Sequence, residues 1–245
     1  MLGKHGTNAP LVGAIWRRLF IGLCALCVAA FGAICVYKFT DIRYVLEGGY
    51  SYDTNAWYEP YVSQARDLSQ VTDCDVAMVG DSLTLYGLWG EFFPDLTLVN
   101  RGIGSDVTAG VLNRLDTIVA VKPEKVFLMI GTNDVAKRVD GAETISNMAQ
   151  ILDGLEAELP DAEIYVESVL PRTAKYSAEV EALNEGYKAL CSGRDGITFI
   201  DMYASYLGAD GKPNAELFAS DGYHMSGKGY SLWVEKIRGY VYGTN

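Results

Sequence analysis

Apolar, β-branched runs recur along the chain at residues 75–79, 96–100, 125–130, 163–169 and 197–201. Between them the apolar positions fall at helical spacing, most clearly over 107–121, 142–159, 178–190 and 227–242, and more weakly over 61–70. Continuous apolar runs suit strands covered on both faces, and the intervening helices supply the crossovers that parallel strands require. The pattern predicts an α/β domain over 73–245, a three-layer α/β/α arrangement around a five-stranded parallel sheet. Ligands of such sheets gather outside the carboxyl ends of the strands, so the residues that follow each run are the ones to read for chemistry.

Upstream the pattern changes. Residues 19–37 are uncharged and almost wholly apolar, with Arg17 and Arg18 before them and Lys38 after. About 20 apolar residues span a bilayer as a helix. A cleaved signal peptide is the competing reading, with Val28-Ala29-Ala30 as its small-residue site, but that site falls in the middle of the run and the length favours an uncleaved anchor. The chain then divides into a cytoplasmic tail (1–18), one N-terminal transmembrane helix (19–38), a linker and aromatic-rich lead-in (39–72) and the domain (73–245). Lys4, Arg17 and Arg18 put the N-terminus in the cytoplasm by the positive-inside rule, leaving the domain extracytoplasmic. The lead-in carries Tyr44, Tyr50, Tyr52, Trp57, Tyr58 and Tyr61, which are expected to pack on the domain, with sugar stacking or an interfacial belt as other uses.

Charge narrows the partners. From Tyr44 onward there are 15 Lys and Arg against 30 Asp and Glu, an acidic domain that repels phosphate backbones, so nucleic acid is excluded as a partner. Cys24, Cys27 and Cys35 lie in the apolar segment as small apolar residues. Cys74 and Cys191 remain for the domain, either as buried thiols or as a pair.

The strand ends carry the chemistry. The first run ends in Gly80-Asp81-Ser82-Leu83, which puts a serine hydroxyl on a strand-to-helix turn, although the same residues suit an ordinary turn. The second ends in Asn100-Arg101-Gly102-Ile103-Gly104-Ser105-Asp106 and leads into a helix. Its glycines lack the third member of a dinucleotide fingerprint, since position 107 is Val, which leaves an anion-stabilising loop and no cofactor. The third ends in Gly131-Thr132-Asn133-Asp134, where the Asn133 amide can donate to a developing oxyanion. His5 lies before the apolar segment, so if the domain uses an imidazole base, His224, in Ser220-Asp221-Gly222-Tyr223-His224, is its one candidate, although a lone histidine also suits a structural or surface position. Asp221, three residues earlier, can fix its tautomer. One histidine rules out a multi-histidine zinc site, and serine chemistry remains, with no metal.

With Leu170-Pro171-Arg172 after the fourth run, these four landmarks resemble the GDSL or SGNH hydrolase superfamily, whose fold is flavodoxin-like, and within it the platelet-activating-factor acetylhydrolase-like bacterial esterases. The resemblance spans 75–242. It implies Ser82 as nucleophile, His224 as general base and then acid, and Asp221 as the carboxylate that orients it. It implies an oxyanion hole made by the backbone N–H of Ser82, a backbone N–H of the second loop at Ser105, with Gly104 as the alternative donor, and the side chain of Asn133. The family usually has glycine where this chain has Ser105, whose Cβ restricts the loop and narrows the acyl pocket. The expected activity is hydrolysis of short-chain O-acyl esters, O-acetyl above all, on a small-molecule or glycan substrate. A lysophospholipase or thioesterase, an O-acyltransferase using the same site, and a non-catalytic envelope-binding module are the alternatives.

Overall fold

The computed structural model describes residues 20–24, 26–32 and 51–244. The chain divides into two compact units, Met1–Gly49 and Tyr50–Asn245. In the first, residues 20–24 and 26–32 are helical and exposed. The remainder of the expected 19–38 anchor lies outside the described residues, and among the described residues no helix is long and apolar enough to cross a membrane.

The second unit is a five-stranded parallel sheet flanked by helices. Its strands are β1 (Cys74–Gly80), β2 (Leu98–Gly102), β3 (Pro123–Met129), β4 (Glu163–Glu167) and β5 (Ile197–Ile200). They lie in the order β2-β1-β3-β4-β5, all neighbours parallel. The helices are α1 (Tyr58–Asp67), α2 (Ser82–Leu85), α3 (Trp89–Phe92), α4 (Thr108–Asn113), α5 (Leu115–Val119), α6 (Thr132–Ala136), α7 (Gly141–Glu158), α8 (Ser177–Cys191) and α9 (Gly227–Tyr242).

The strand period of two sorts the core into two clusters. Ala77, Val79, Val126, Leu128, Ile164 and Val166 face α4, α5, α7 and α8, where Val111, Ile118, Ile151, Leu155, Val180 and Tyr187 close over them. Val76, Met78, Phe127, Met129 and Tyr165 face the other way, against Trp89 of α3 and Trp233, Ile237 and Val241 of α9. Of the lead-in's aromatics, Tyr58 is buried with Val62 and Ile103, Tyr52 packs against them, Trp57 and Tyr61 are exposed, and Tyr44 and Tyr50 lie outside the described residues. The Tyr58 hydroxyl donates to Gly110 O at 2.7 Å.

Most elements fall where the hydrophobic pattern puts them, with three departures. The helix expected over 107–121 breaks at Arg114, which has φ −110° and ψ 21° and separates α4 from α5. The second strand is shifted two residues from the expected 96–100, to Leu98–Gly102, because Arg101 and Gly102 still pair with Val79 and Gly80 of β1. Its polar Asn100 and Arg101 side chains find acceptors on Thr84 O, Leu85 O and Thr117 O. The fourth ends at Glu167, because the backbone of Val169 is bound by the Asn184 amide at 2.8 and 3.0 Å instead of by a neighbouring strand. Cys74 and Cys191 are free, buried thiols, each held protonated by burial, which raises its pKa to about 11.

Under the second core lies a buried carboxyl, Glu167, whose Oε1 accepts the indole N–H of Trp233. Burial pushes Glu167 up to about 8. A raised carboxyl binds its proton more tightly folded than unfolded, so its contribution is fully present below the unfolded pKa and is lost as pH rises through the folded one. Glu167→Gln keeps an acceptor for Trp233 and removes that slope. The melting temperature of the wild type should therefore fall relative to Glu167→Gln as pH rises from about 4.5 to about 8, and the two curves should run parallel above. Thermal denaturation across this range tests it.

Candidate active site

The site forms where three strand ends share one level. Gly80 pairs with Gly102 on one side and Met129 on the other, so β1, β2 and β3 leave the sheet together. The chain crosses to opposite sides of β1 here, which opens a crevice at the switch point of the sheet. Gly102 is required by close approach: a Cβ there would lie 2.3 Å from Leu85 N of α2. Gly131, with φ +127°, makes the turn that starts α6.

Ser82 opens α2, and the preceding Asp81 caps it by accepting the Leu83 N–H at 2.9 Å. So short a helix leaves its last carbonyls unpaired, and side chains satisfy them. Trp89 Nε1 and Asn100 Nδ2 donate to Thr84 O, and the Tyr230 hydroxyl donates to Leu83 O at 2.7 Å. The serine is thereby held at the edge of the crevice, half-buried.

His224 arrives from the loop before α9. A bridge between Phe218 and Met225 and the bond from Ala219 N–H to His224 O at 2.7 Å pin the backbone on either side of the turn. Asp221 Oδ1 accepts the N–H groups of Tyr223 and His224 at 3.0 and 2.9 Å, an Asx turn that leaves Oδ2 for the ring. His224 Nδ1–H donates to that Oδ2 at 2.7 Å, and the Ser82 hydroxyl donates to Nε2 at 2.9 Å, the tautomer this network requires. Slight burial pushes Asp221 up, but the bonds from His224 and from the two backbone N–H groups outweigh it and hold the carboxyl at about 2. Asp221 thus stays ionised beside the imidazole, and its contribution to stability is lost only as pH falls through that value. Tyr223 and Tyr86 flank the imidazole, with ring centroids 4.4 and 5.4 Å away.

Asn133 sits in α6, across the crevice. One N–H of its amide donates to Asp106 O at 3.0 Å, and only a long contact of 3.4 Å leads to Asp81 Oδ2. Ser105 is exposed and has φ +62°, the left-handed conformation that favours the glycine expected there and costs a non-glycine residue roughly 1 kcal/mol. Its carbonyl accepts from Lys137 Nζ at 2.6 Å, and Gly104 O accepts from the Asn55 amide at 2.7 Å. The structure therefore gathers Ser82, Asp221 and His224 into one hydrogen-bonded relay, with the loops of Gly104, Ser105 and Asn133 opposite.

Hydrophobic patterning does not reveal the floor of this site. Asp81, Asp106 and Asp134 are all buried, one in each of the three strand-end loops. Burial pushes Asp81 up to about 7 and Asp134 to about 6. Asp134 accepts from the N–H and hydroxyl of Thr108, and Asp106 pairs with the buried Arg114 at 2.9 Å, whose Nη2 also donates to Gly80 O. The signal was present in the sequence: an aspartate in each loop, and an arginine in an inward position of the 107–121 apolar stripe. Arg114→Met should leave Asp106 buried and unpaired, lowering stability by about 3–5 kcal/mol. Urea denaturation measures the loss, and adding Asp106→Asn should recover part of it.

The model of the GDSL-like lipase/acylhydrolase family matches residues 77–232, which include Ser82, Asn133, Asp221 and His224. The platelet-activating factor acetylhydrolase IB subunit alpha2 of Rattus norvegicus is 28% identical over 176 residues, 66% of this chain and 75% of that protein. A solved structure from Streptococcus pneumonia, described as a platelet activating factor, is 28% identical, with a TM-score of 0.67 over 76% of this chain and 91% of that one. A GDSL-like lipase from Bacteroides thetaiotaomicron, 22% identical, shares the fold at a TM-score of 0.64, covering 77% of this chain and 98% of its own. The chain belongs to the GDSL-like lipase/acylhydrolase family and is a hydrolase acting on esters.

Proposed function

We propose that the protein is a membrane-anchored, extracytoplasmic serine esterase that hydrolyses short-chain O-acyl esters, O-acetyl esters above all, through a Ser82-His224-Asp221 triad and an acyl-enzyme. The observation that carries the reading is the continuous relay from Ser82 Oγ through His224, at 2.9 Å, to Asp221, at 2.7 Å. Ser82 attacks the carbonyl carbon while His224 Nε2 takes its proton, and the ionised Asp221 stabilises the imidazolium. The oxyanion is met by the N–H of Ser82, the N–H of Ser105 (or of Gly104) and the second N–H of Asn133, whose first is fixed on Asp106 O. The bond to the alcohol breaks as His224 protonates the leaving oxygen. Water then attacks the acyl carbon, His224 takes its proton, and the acid leaves as that proton returns to Ser82.

Two further observations support the finer terms. The relative from Rattus norvegicus is named as an acetylhydrolase, and Ser105 places a Cβ where glycine would leave more room, which favours a small acyl group. The uncharged run at 19–37, with basic residues before it, supports an anchor with the domain outside.

The detergent-solubilised full chain should hydrolyse p-nitrophenyl acetate faster than p-nitrophenyl palmitate. Ser82→Ala should reduce turnover to background, and Asn133→Ala should lower kcat by about 100- to 1,000-fold. Equal turnover by wild type and Ser82→Ala would overturn the catalytic assignment, and a preference for palmitate would favour a lysophospholipase or thioesterase. In intact cells, added protease should remove residues 50–245 while a tag at the N-terminus stays protected; the reverse pattern would refute the topology.

A further inference from the structure

Arg172 takes no part in the chemistry above, yet it stands at the edge of the crevice. It follows β4, half-buried, and its Nη1 donates to Thr132 O at 2.9 Å and to Thr132 Oγ1 at 3.1 Å. Thr132 is the residue before Asn133. The guanidinium carbon lies 4.8 Å from the ring centroid of Tyr223 and 5.4 Å from that of Tyr176. Tyr223 contacts the His224 imidazole, so a single side chain separates Arg172 from the proposed base.

These contacts fix the guanidinium and engage the donors of one nitrogen only. Among the described residues, Nε–H and Nη2–H have no protein acceptor. Three other arginines of this acidic unit hold carboxylates: Arg66 holds Asp116 at 2.7 Å, Arg114 holds Asp106 at 2.9 Å, and Arg194 holds Asp153 and Glu156 at 2.7 and 2.6 Å. Arg101, by contrast, donates to Thr117 O and Ser69 Oγ, and Arg238 lies over Phe93. Arg172 holds none among the described residues. Asp81, whose carboxyl burial raises and the charge of Arg172 lowers in smaller measure, is itself buried and already accepts the Leu83 N–H at 2.9 Å. Lys175 adds a second cation, with Nζ 4.4 Å from the centroid of the same Tyr176 ring.

A planar guanidinium with two donors open on its edge matches a pair of anionic oxygens. Tyrosine faces on the guanidinium limit its hydration, which strengthens such a contact. Tyr176 and Lys175 also line a pocket of about 610 Å³, where the apolar walls of Val135, Val139, Ile145 and Leu183 stand beside the charged Arg138 and Glu179. We propose that Arg172, braced by Thr132, Tyr176 and Tyr223, is an anion subsite of the ester-hydrolysing site, and that the substrates are esters carrying a carboxylate or phosphate near the scissile bond. The proposal rests on the serine-esterase reading above.

Three acetate esters of para-substituted phenols test it on the full chain: one with a carboxylate, one with a phosphate monoester and one with a neutral carboxamide. The wild type should favour at least one anionic ester by about 10-fold or more in kcat/KM, mainly through KM, and the better of the two identifies the anion. Arg172→Gln should reduce the anionic-to-neutral ratio by about 10-fold, and Arg172→Lys should restore part of it. Equal rates on all three esters in the wild type would overturn the proposal. So would a loss in Arg172→Gln shared equally by charged and neutral esters, which would make Arg172 a support for Tyr223 and Thr132. A binding measurement separates this inference from the catalytic one. Benzoate or phenyl phosphate should bind Ser82→Ala, and adding Arg172→Gln should weaken that binding by about 10-fold. If every ester is inert but this binding holds, the catalytic reading fails and the subsite stands; if Ser82-dependent hydrolysis holds without anion binding or preference, the subsite alone fails.

Discussion

Gly80 pairs with Gly102 and with Met129, and this shared register sets everything that follows at the site. Parallel strands that leave the sheet at one level deliver their loops to one level, and the order β2-β1-β3 puts the loops of Ser82, Gly104 and Asn133 around a single crevice. Gly102 lets the backbone of α2 cross directly over the end of β2, and Gly80 leaves room for the Met129 carbonyl and the Thr84 side chain. A slip of one residue in either pairing would turn inward side chains outward, so burial on both faces locks the register and with it the site.

Beneath the crevice the protein tolerates an arrangement that a stability argument alone would remove. Three carboxyl groups are buried within one layer, and only Asp106 of the three pairs with the guanidinium of Arg114. Apolar residues of similar volume would often be as stable or more so. What the buried polar layer supplies is position. Arg114 fixes Asp106, the Asp106 carbonyl fixes one N–H of Asn133, and Asp134 fixes the start of α4 through Thr108. The cost of burial shows in the raised carboxyls of Asp81 and Asp134, which hold their protons closer to neutrality than a solvated carboxyl does.

The imidazole is held by a different device. Asp221 and His224 belong to one Asx turn, closed by backbone N–H bonds to the same carboxylate that receives the ring. Their relation is local and depends little on the sheet. The bond from Ser82 to His224 joins residues 142 positions apart, and it exists because α9 packs Trp233 and Ile237 against the sheet face from which Ser82 emerges. Tyr230 ties the two directly, reaching from α9 to Leu83 O.

By itself the sequence determined what depends on short-range periodicity and turn chemistry: five apolar runs, the main helices, a serine and an asparagine at strand ends, and an Asp-x-x-His turn. It also carried the mismatch at Ser105, which the fold accommodates with a left-handed residue. Tertiary structure alone decided how those pieces meet, because strand order and register involve residues far apart in sequence. It broke the 107–121 helix at Arg114, whose guanidinium turns to the buried Asp106. It made the aspartate of each strand-end loop part of one buried layer, and it set Arg172 between two tyrosines beside the crevice. Neither feature has a local period to mark it, because each is made by side chains from separate loops that converge only when the sheet is assembled.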